Sequence, residues 1–95
     1  MPEISFKVET ELLNRIASNP DCWWRWTDHA QVRMLERGHN AEDVLHALMF
    51  GQVVRVVVKE DVVFRVKGQN IDGEPIEVAA AVDERNVTIK VVTVI

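Results

Sequence analysis

TDHAQVRMLERGHNAEDVLHALMFG, Thr27 to Gly51, is the stretch whose reading decides the fold, because it holds two helix signals back to back. Asp28 followed by Gln31 forms a capping-box pattern, and Gly38 supplies a stop where the chain must turn out of a helix. The spacing predicts one helix from His29 to Arg37. Asn40 then caps a second helix, with Asp43 in its first turn to complement the dipole and Gly51 closing it. Ala41, Val44, Leu45, Leu48 and Met49 follow the i, i+3, i+4, i+7, i+8 spacing of a buried stripe, so this second helix is scaffold.

The first helix carries the chemistry. At about 100° per residue, His29, Arg33, Glu36 and Arg37 fall within about one third of its circumference. Two arginines and a histidine on successive turns can grip a phosphate or a carboxylate, since guanidinium groups bind both bidentately. The same residues also read as a solvated ion-pair lattice around Glu36, and spacing alone favours that reading.

Downstream of Phe50 the texture changes: fourteen of the seventeen valines lie there, and β-branched residues favour strands. Four strands are expected, over Val53 to Lys59, Val62 to Lys67, Pro75 to Val82 and Val87 to Val94. Their short connections make an antiparallel meander the default. If Lys59 pairs with Val63 around a Glu60-Asp61-Val62 turn, Arg55, Lys59, Arg65 and Lys67 share one sheet face. Val54, Val56, Val58, Phe64 and Val66 then lie beneath the helices. The basic quartet is either an anion-binding surface or an ordinary solvated face. The fold class is therefore α+β, with N-terminal helices packed on one face of a four-stranded antiparallel sheet.

Upstream, Ile4, Phe6 and Val8 alternate as in a short strand. Leu12, Leu13, Ile16 and Ala17 form a helical stripe that Asn19-Pro20 ends. Cys22-Trp23-Trp24-Arg25-Trp26 then holds all three tryptophans. In a domain with no tyrosine they are needed as core anchors, although an indole can also stack on a base or fill a protein interface. The 95 residues suffice for one domain, with 1–26 an extension and 27–95 the core, burying somewhat over about 60% of its unfolded surface.

Net charge is −4, which argues against a protein coated in nucleic-acid-binding surface. The charge is uneven: residues 25–67 hold seven basic groups against six acidic, and both flanks are net acidic. Any RNA site must be local and central. The acidic flanks would attract a basic partner. No apolar run approaches the ~18 residues of a membrane helix. The start, Met1-Pro2-Glu3, lacks a secretory pattern, so a cytoplasmic location is expected, and the lone Cys22 suits a reducing compartment. His29, His39 and His46 lack zinc-site spacing, and no phosphate loop, dinucleotide fingerprint or nucleophile elbow is present. Neither a metal nor another cofactor is expected. His39 and His46 read as structural.

His29-Ala30, Arg33-Met34, Glu36-Arg37-Gly38, the helix around Glu42, Asp43 and Val44, and the later Gly51, Arg65, Gly68 and Thr93-Val94-Ile95 resemble the DUF4258 family of small bacterial domains. The resemblance covers about Thr27 to Ile95. It implies relatedness to the RelE-like toxin nucleases, in which helices precede a four-stranded antiparallel sheet and RNA is cleaved without metal. The resulting expectation is an endoribonuclease toxin of a bacterial toxin and antitoxin pair. His29, Arg33 and Arg37 would be catalytic, Arg55, Lys59, Arg65 and Lys67 would bind RNA, and Glu36 and Thr93 would support them. Its rival is a catalytically silent interaction module. That module would bind a second copy or an antitoxin through the Trp23 to Trp26 segment or the last strand, Val87 to Ile95.

Overall fold

In the computed structural model, which describes residues 5–95, the central helix begins one residue earlier than its acidic signal suggests. Thr27 is the N-cap of α2 (Asp28–Arg37): its hydroxyl accepts from the Ala30 amide at 3.0 Å and donates to the Val92 carbonyl at 2.7 Å. Asp28 falls in the first turn instead. A threonine hydroxyl can donate and accept together, which a carboxylate cannot, and the Val92 carbonyl needs a donor. Gly38 ends α2 in the left-handed region at φ 70°, and the His39 amide donates back to the Met34 carbonyl at 2.9 Å. That is the six-to-one bond of a Schellman turn. Asn40 then caps α3 (Ala41–Phe50) through a complete capping box with Asp43.

Upstream, α1 (Lys7–Ala17) occupies part of the expected strand, with Phe6 as its N-cap and Val8 inside it, while Ile4 lies outside the described residues. The Leu13, Ile16 and Ala17 stripe continues through Leu12 into this helix, and its period of about 3.6 overrides a three-point alternation. Asn14 Nδ2 donates to the carbonyls of Leu48 and Gly51, tying α1 to the end of α3.

The expected four-stranded antiparallel sheet is instead five-stranded and mixed. Trp23–Trp26 forms β1, which pairs in parallel with β5 (Thr88–Val94) from Trp23 opposite Thr88 to Trp26 opposite Val91. The strand order is β1-β5-β4-β3-β2, where β2 is Gln52–Val58, β3 is Val62–Gln69 and β4 is Pro75–Asp83. The last strand is therefore interior, not an exposed edge. Its free backbone beyond β1 is covered by α2, where Arg33 Nε donates to the Val94 carbonyl at 3.1 Å.

The β2–β3 hairpin also differs in register. Val58 pairs with Val62 and Val57 with Val63, so the turn is Lys59-Glu60-Asp61 and Lys59 leaves the strand. The shift is even in parity, so Arg55 and Arg65 stay on one face as expected, and the new register sets them directly opposite. A bulge between Val53 and Arg55 inserts Val54 as an extra residue, so Val53 is buried in its place and Val54 is exposed. Val58 is exposed as well, whereas Phe64 and Val66 are buried as expected and Val56 packs against the core.

The core lies between the helices and one face of the sheet. Leu13, Val44, Leu48, Val66, Val78, Ile89, Val91 and Val94 are fully buried there, each contributing about 1.5–3 kcal/mol. Trp24 and Trp26 sit on this face beside Ile89 and Val91, their rings stacked at 6.1 Å.

Candidate functional site

The chain from Gly38 to Asp43 is the rigid part from which the site is built. His39 is held by the Schellman bond behind it and by the N-cap of α3 ahead of it. Asp43, 5% exposed, joins three elements: one carboxylate oxygen accepts from the Asn40 amide at 3.0 Å and lies 3.8 Å from His39 Nδ1. The other accepts from the Ile71 amide at 3.3 Å, tying α3 to the β3–β4 loop. Buried Asn70 braces that loop by accepting from the Asp72 and Glu74 amides. Among the described residues His39 Nδ1 is buried without a hydrogen-bond partner, so the ring is placed by backbone geometry rather than by its own polar contacts.

Between this turn and the end of the sheet lies a cleft of about 440 Å³ lined by Arg37, His39, Lys67, Gly68, Ile76 and Glu77. Arg37 comes from the last turn of α2, and Lys67 and Glu77 come from the helix-free face of β3 and β4, where they pair directly. Glu77 is shared: Arg65 Nε lies 3.1 Å from one oxygen and Lys67 Nζ 3.9 Å from the other. The helix face and the sheet face therefore meet at the C-terminal end of α2, around the end of the sheet. Gly51 and Gly68 permit this. A Cβ on Gly68 would lie 2.9 Å from the Ala47 carbonyl oxygen and 3.2 Å from Gly51 Cα, so the end of α3 rests backbone to backbone on β3.

The residues read from the sequence divide between this cleft and other places. Arg37 and Lys67 line it. Arg33 is engaged elsewhere, with Nε on the Val94 carbonyl and Nη1 3.9 Å from Glu36. His29 is exposed in the first turn of α2, about 12 Å along the axis from Arg37 and outside the cleft. Arg55 and Thr93 share the helix-free face with Arg65, and Lys59 lies in the hairpin turn. His39, read from the sequence as structural, and Glu77, not singled out there, line the cleft as well. Gly38 before His39 was the available signal for the first, since a left-handed cap fixes the residue that follows. His46 is placed by the Gln69 carbonyl at 2.8 Å and by Phe50.

A histidine, two cations and a carboxylate at one solvent-open cleft are groups that can hold an anion and move a proton beside it. The chain belongs to the family described as Domain of unknown function (DUF4258), whose sequence profile matches residues 26–95. The match begins at Trp26 and leaves α1 and most of β1 outside it. No curated protein and no solved structure matches the chain. Among the described residues no helix is long and apolar enough to cross a membrane.

Proposed function

We propose that the chain is a metal-independent endoribonuclease-like toxin component of a bacterial toxin and antitoxin pair, working in the cytoplasm, with its reacting centre at the sheet-end cleft. The observation that supports this reading is the convergence of Arg37, His39, Lys67 and Glu77 on one cleft. In the reaction the ribose 2′-oxygen attacks phosphorus and the bond to the 5′-oxygen breaks, leaving a 2′,3′-cyclic phosphate and a 5′-hydroxyl. One of Glu77 and His39 takes the 2′-hydroxyl proton and the other delivers a proton to the departing oxygen. Arg37 and Lys67 stabilise the charge that grows on the phosphoryl oxygens.

Arg37 thus keeps the role expected from its helix face, proton transfer moves from His29 to His39, and Arg33 becomes a positioning residue. Arg55 and Arg65 extend the cationic surface along the sheet. Incubating the purified chain with mixed RNA, with and without chelator and ribosomes, tests the reading. Cleavage insensitive to chelator and cyclic-phosphate ends are expected. His39→Ala should lower the rate by about 100-fold, the usual scale for a proton-transfer group. Arg37→Lys should not restore what Arg37→Ala loses, because planar two-point contact is gone. Intact RNA under all these conditions sinks the reading.

The interaction-module alternative draws on different residues: Trp23 is 73% exposed and Leu35 83% exposed. Such side chains suit contact with a second copy or an antitoxin. RNA left intact, together with a dimer or a complex with a candidate antitoxin in light scattering, would favour this alternative over the nuclease.

A further inference from the structure

His39 is a wall shared by two cavities. Beside it, an apolar groove of about 500 Å³ runs between β1, α2 and the start of α3, lined by Trp26, Gln31, Met34, Leu35, His39 and Asn40. Its size falls in the range of small-molecule sites, about 300–1,000 Å³. We infer that this groove is a nucleobase pocket, seating the base adjacent to the phosphate held by Arg37 and Lys67. The inference rests on the ribonuclease reading of the adjoining cleft.

Three observations carry it. First, the groove offers an apolar bed in which Trp26 and Met34 are held by packing. The Trp26 ring is stacked on Trp24 at 6.1 Å, and Met34 packs against the core. Bases bind such beds through their faces, whatever their identity. Second, the polar groups at its rim can read a base edge. Asn40 Oδ1 is committed to the Asp43 amide at 2.9 Å, which leaves Nδ2 to donate. Gln31 is exposed, and its Nε2 makes only a long contact, 3.5 Å, with the Trp26 carbonyl. Third, the groove adjoins a cation-lined cleft, with the one imidazole lining both. A ligand matching both halves must join a flat apolar ring to an anion by a short link. A nucleotide does this.

A titration of the full chain followed by tryptophan fluorescence and amide NMR tests the pocket, with inorganic phosphate, ribose 5-phosphate, AMP and UMP as probes. The nucleotides should bind at least about tenfold tighter than ribose 5-phosphate, a modest stacking gain. Leu35→Ala and Gln31→Ala, both at exposed positions that do not disturb the core, should bring nucleotide affinity down toward that of ribose 5-phosphate and leave phosphate affinity unchanged. Arg37→Ala should weaken all four probes. Equal affinity for nucleotide and ribose 5-phosphate, or no binding of either, overturns the pocket. RNA cleaved without base-dependent binding refutes this inference alone. Base-dependent binding without cleavage refutes the ribonuclease reading and leaves the pocket standing.

Discussion

Gly68→Ala tests the construction of the site more directly than any change to a charged residue. Positive φ among the glycines occurs only at Gly38 and Gly73, so at Gly68 the penalty is steric and not torsional. The added Cβ would stand 2.9 Å from the Ala47 oxygen, 3.1 Å from Ala47 Cα and 3.2 Å from Gly51 Cα. All three neighbours are backbone, so none can rotate aside, and α3 itself must move. Overpacking of a dense interior costs about 1–3 kcal/mol, and the absence of any yielding side chain puts this case near 2–3 kcal/mol. For a domain of this size each kcal/mol lowers Tm by roughly 4–8 °C, so a fall of about 10–20 °C is expected in thermal unfolding followed by circular dichroism. Gly38→Ala is the control. It meets nothing within 4 Å and bears only the left-handed strain at φ 70°, roughly 1–2 kcal/mol. If Gly68→Ala melts within about 2 °C of the wild type, the close approach of α3 to β3, and with it the cleft wall, is wrong as described.

Arg33→Ala removes the shorter of two side-chain hydrogen bonds to the Val94 carbonyl, leaving Thr93 Oγ1 at 3.3 Å, and should cost about 1 kcal/mol in urea unfolding. A variant as stable as the wild type would return Arg33 to the solvent-exposed role read from the sequence. The Asp83 carboxyl is held below the usual carboxylate range, chiefly by the Asn86 side-chain hydrogen bond and then by the Asn86 amide. A lowered folded-state value means that this turn's contribution is present at neutral pH and lost as pH falls through the lowered value. Asn86→Ala should move the Asp83 titration, read by carboxyl NMR, back upward, and an unmoved titration refutes the assignment. Burial pushes the Cys22 thiol up, only partly offset by a backbone hydrogen bond from Ile89. Thiolate-selective reagents should therefore label it more slowly near neutral pH than they label the unfolded chain, and equal rates would contradict this.

What was legible from the residues alone was short-range. The course of α3, that of α2 to within one residue, the stop at Gly38 and the parity that keeps Arg55 and Arg65 on one face all follow from caps and periods within a few positions. Long-range choices were not written locally. Whether WWRW becomes a strand depends on β5, since Trp23 must meet Thr88 across most of the chain, and no turn chemistry announces a parallel pair. The Val53–Val54 bulge depends on Thr10, whose hydroxyl accepts from the Val53 amide at 3.0 Å and so holds that strand entrance against α1. Arg33 and Arg37 look alike on a helical wheel. Only the docking of α2 over the end of β5 spends the first on a backbone carbonyl and leaves the second facing the cleft with His39 and Lys67. Caps and periods are properties of neighbouring residues, whereas convergence on a cleft depends on which segments the packed core brings together.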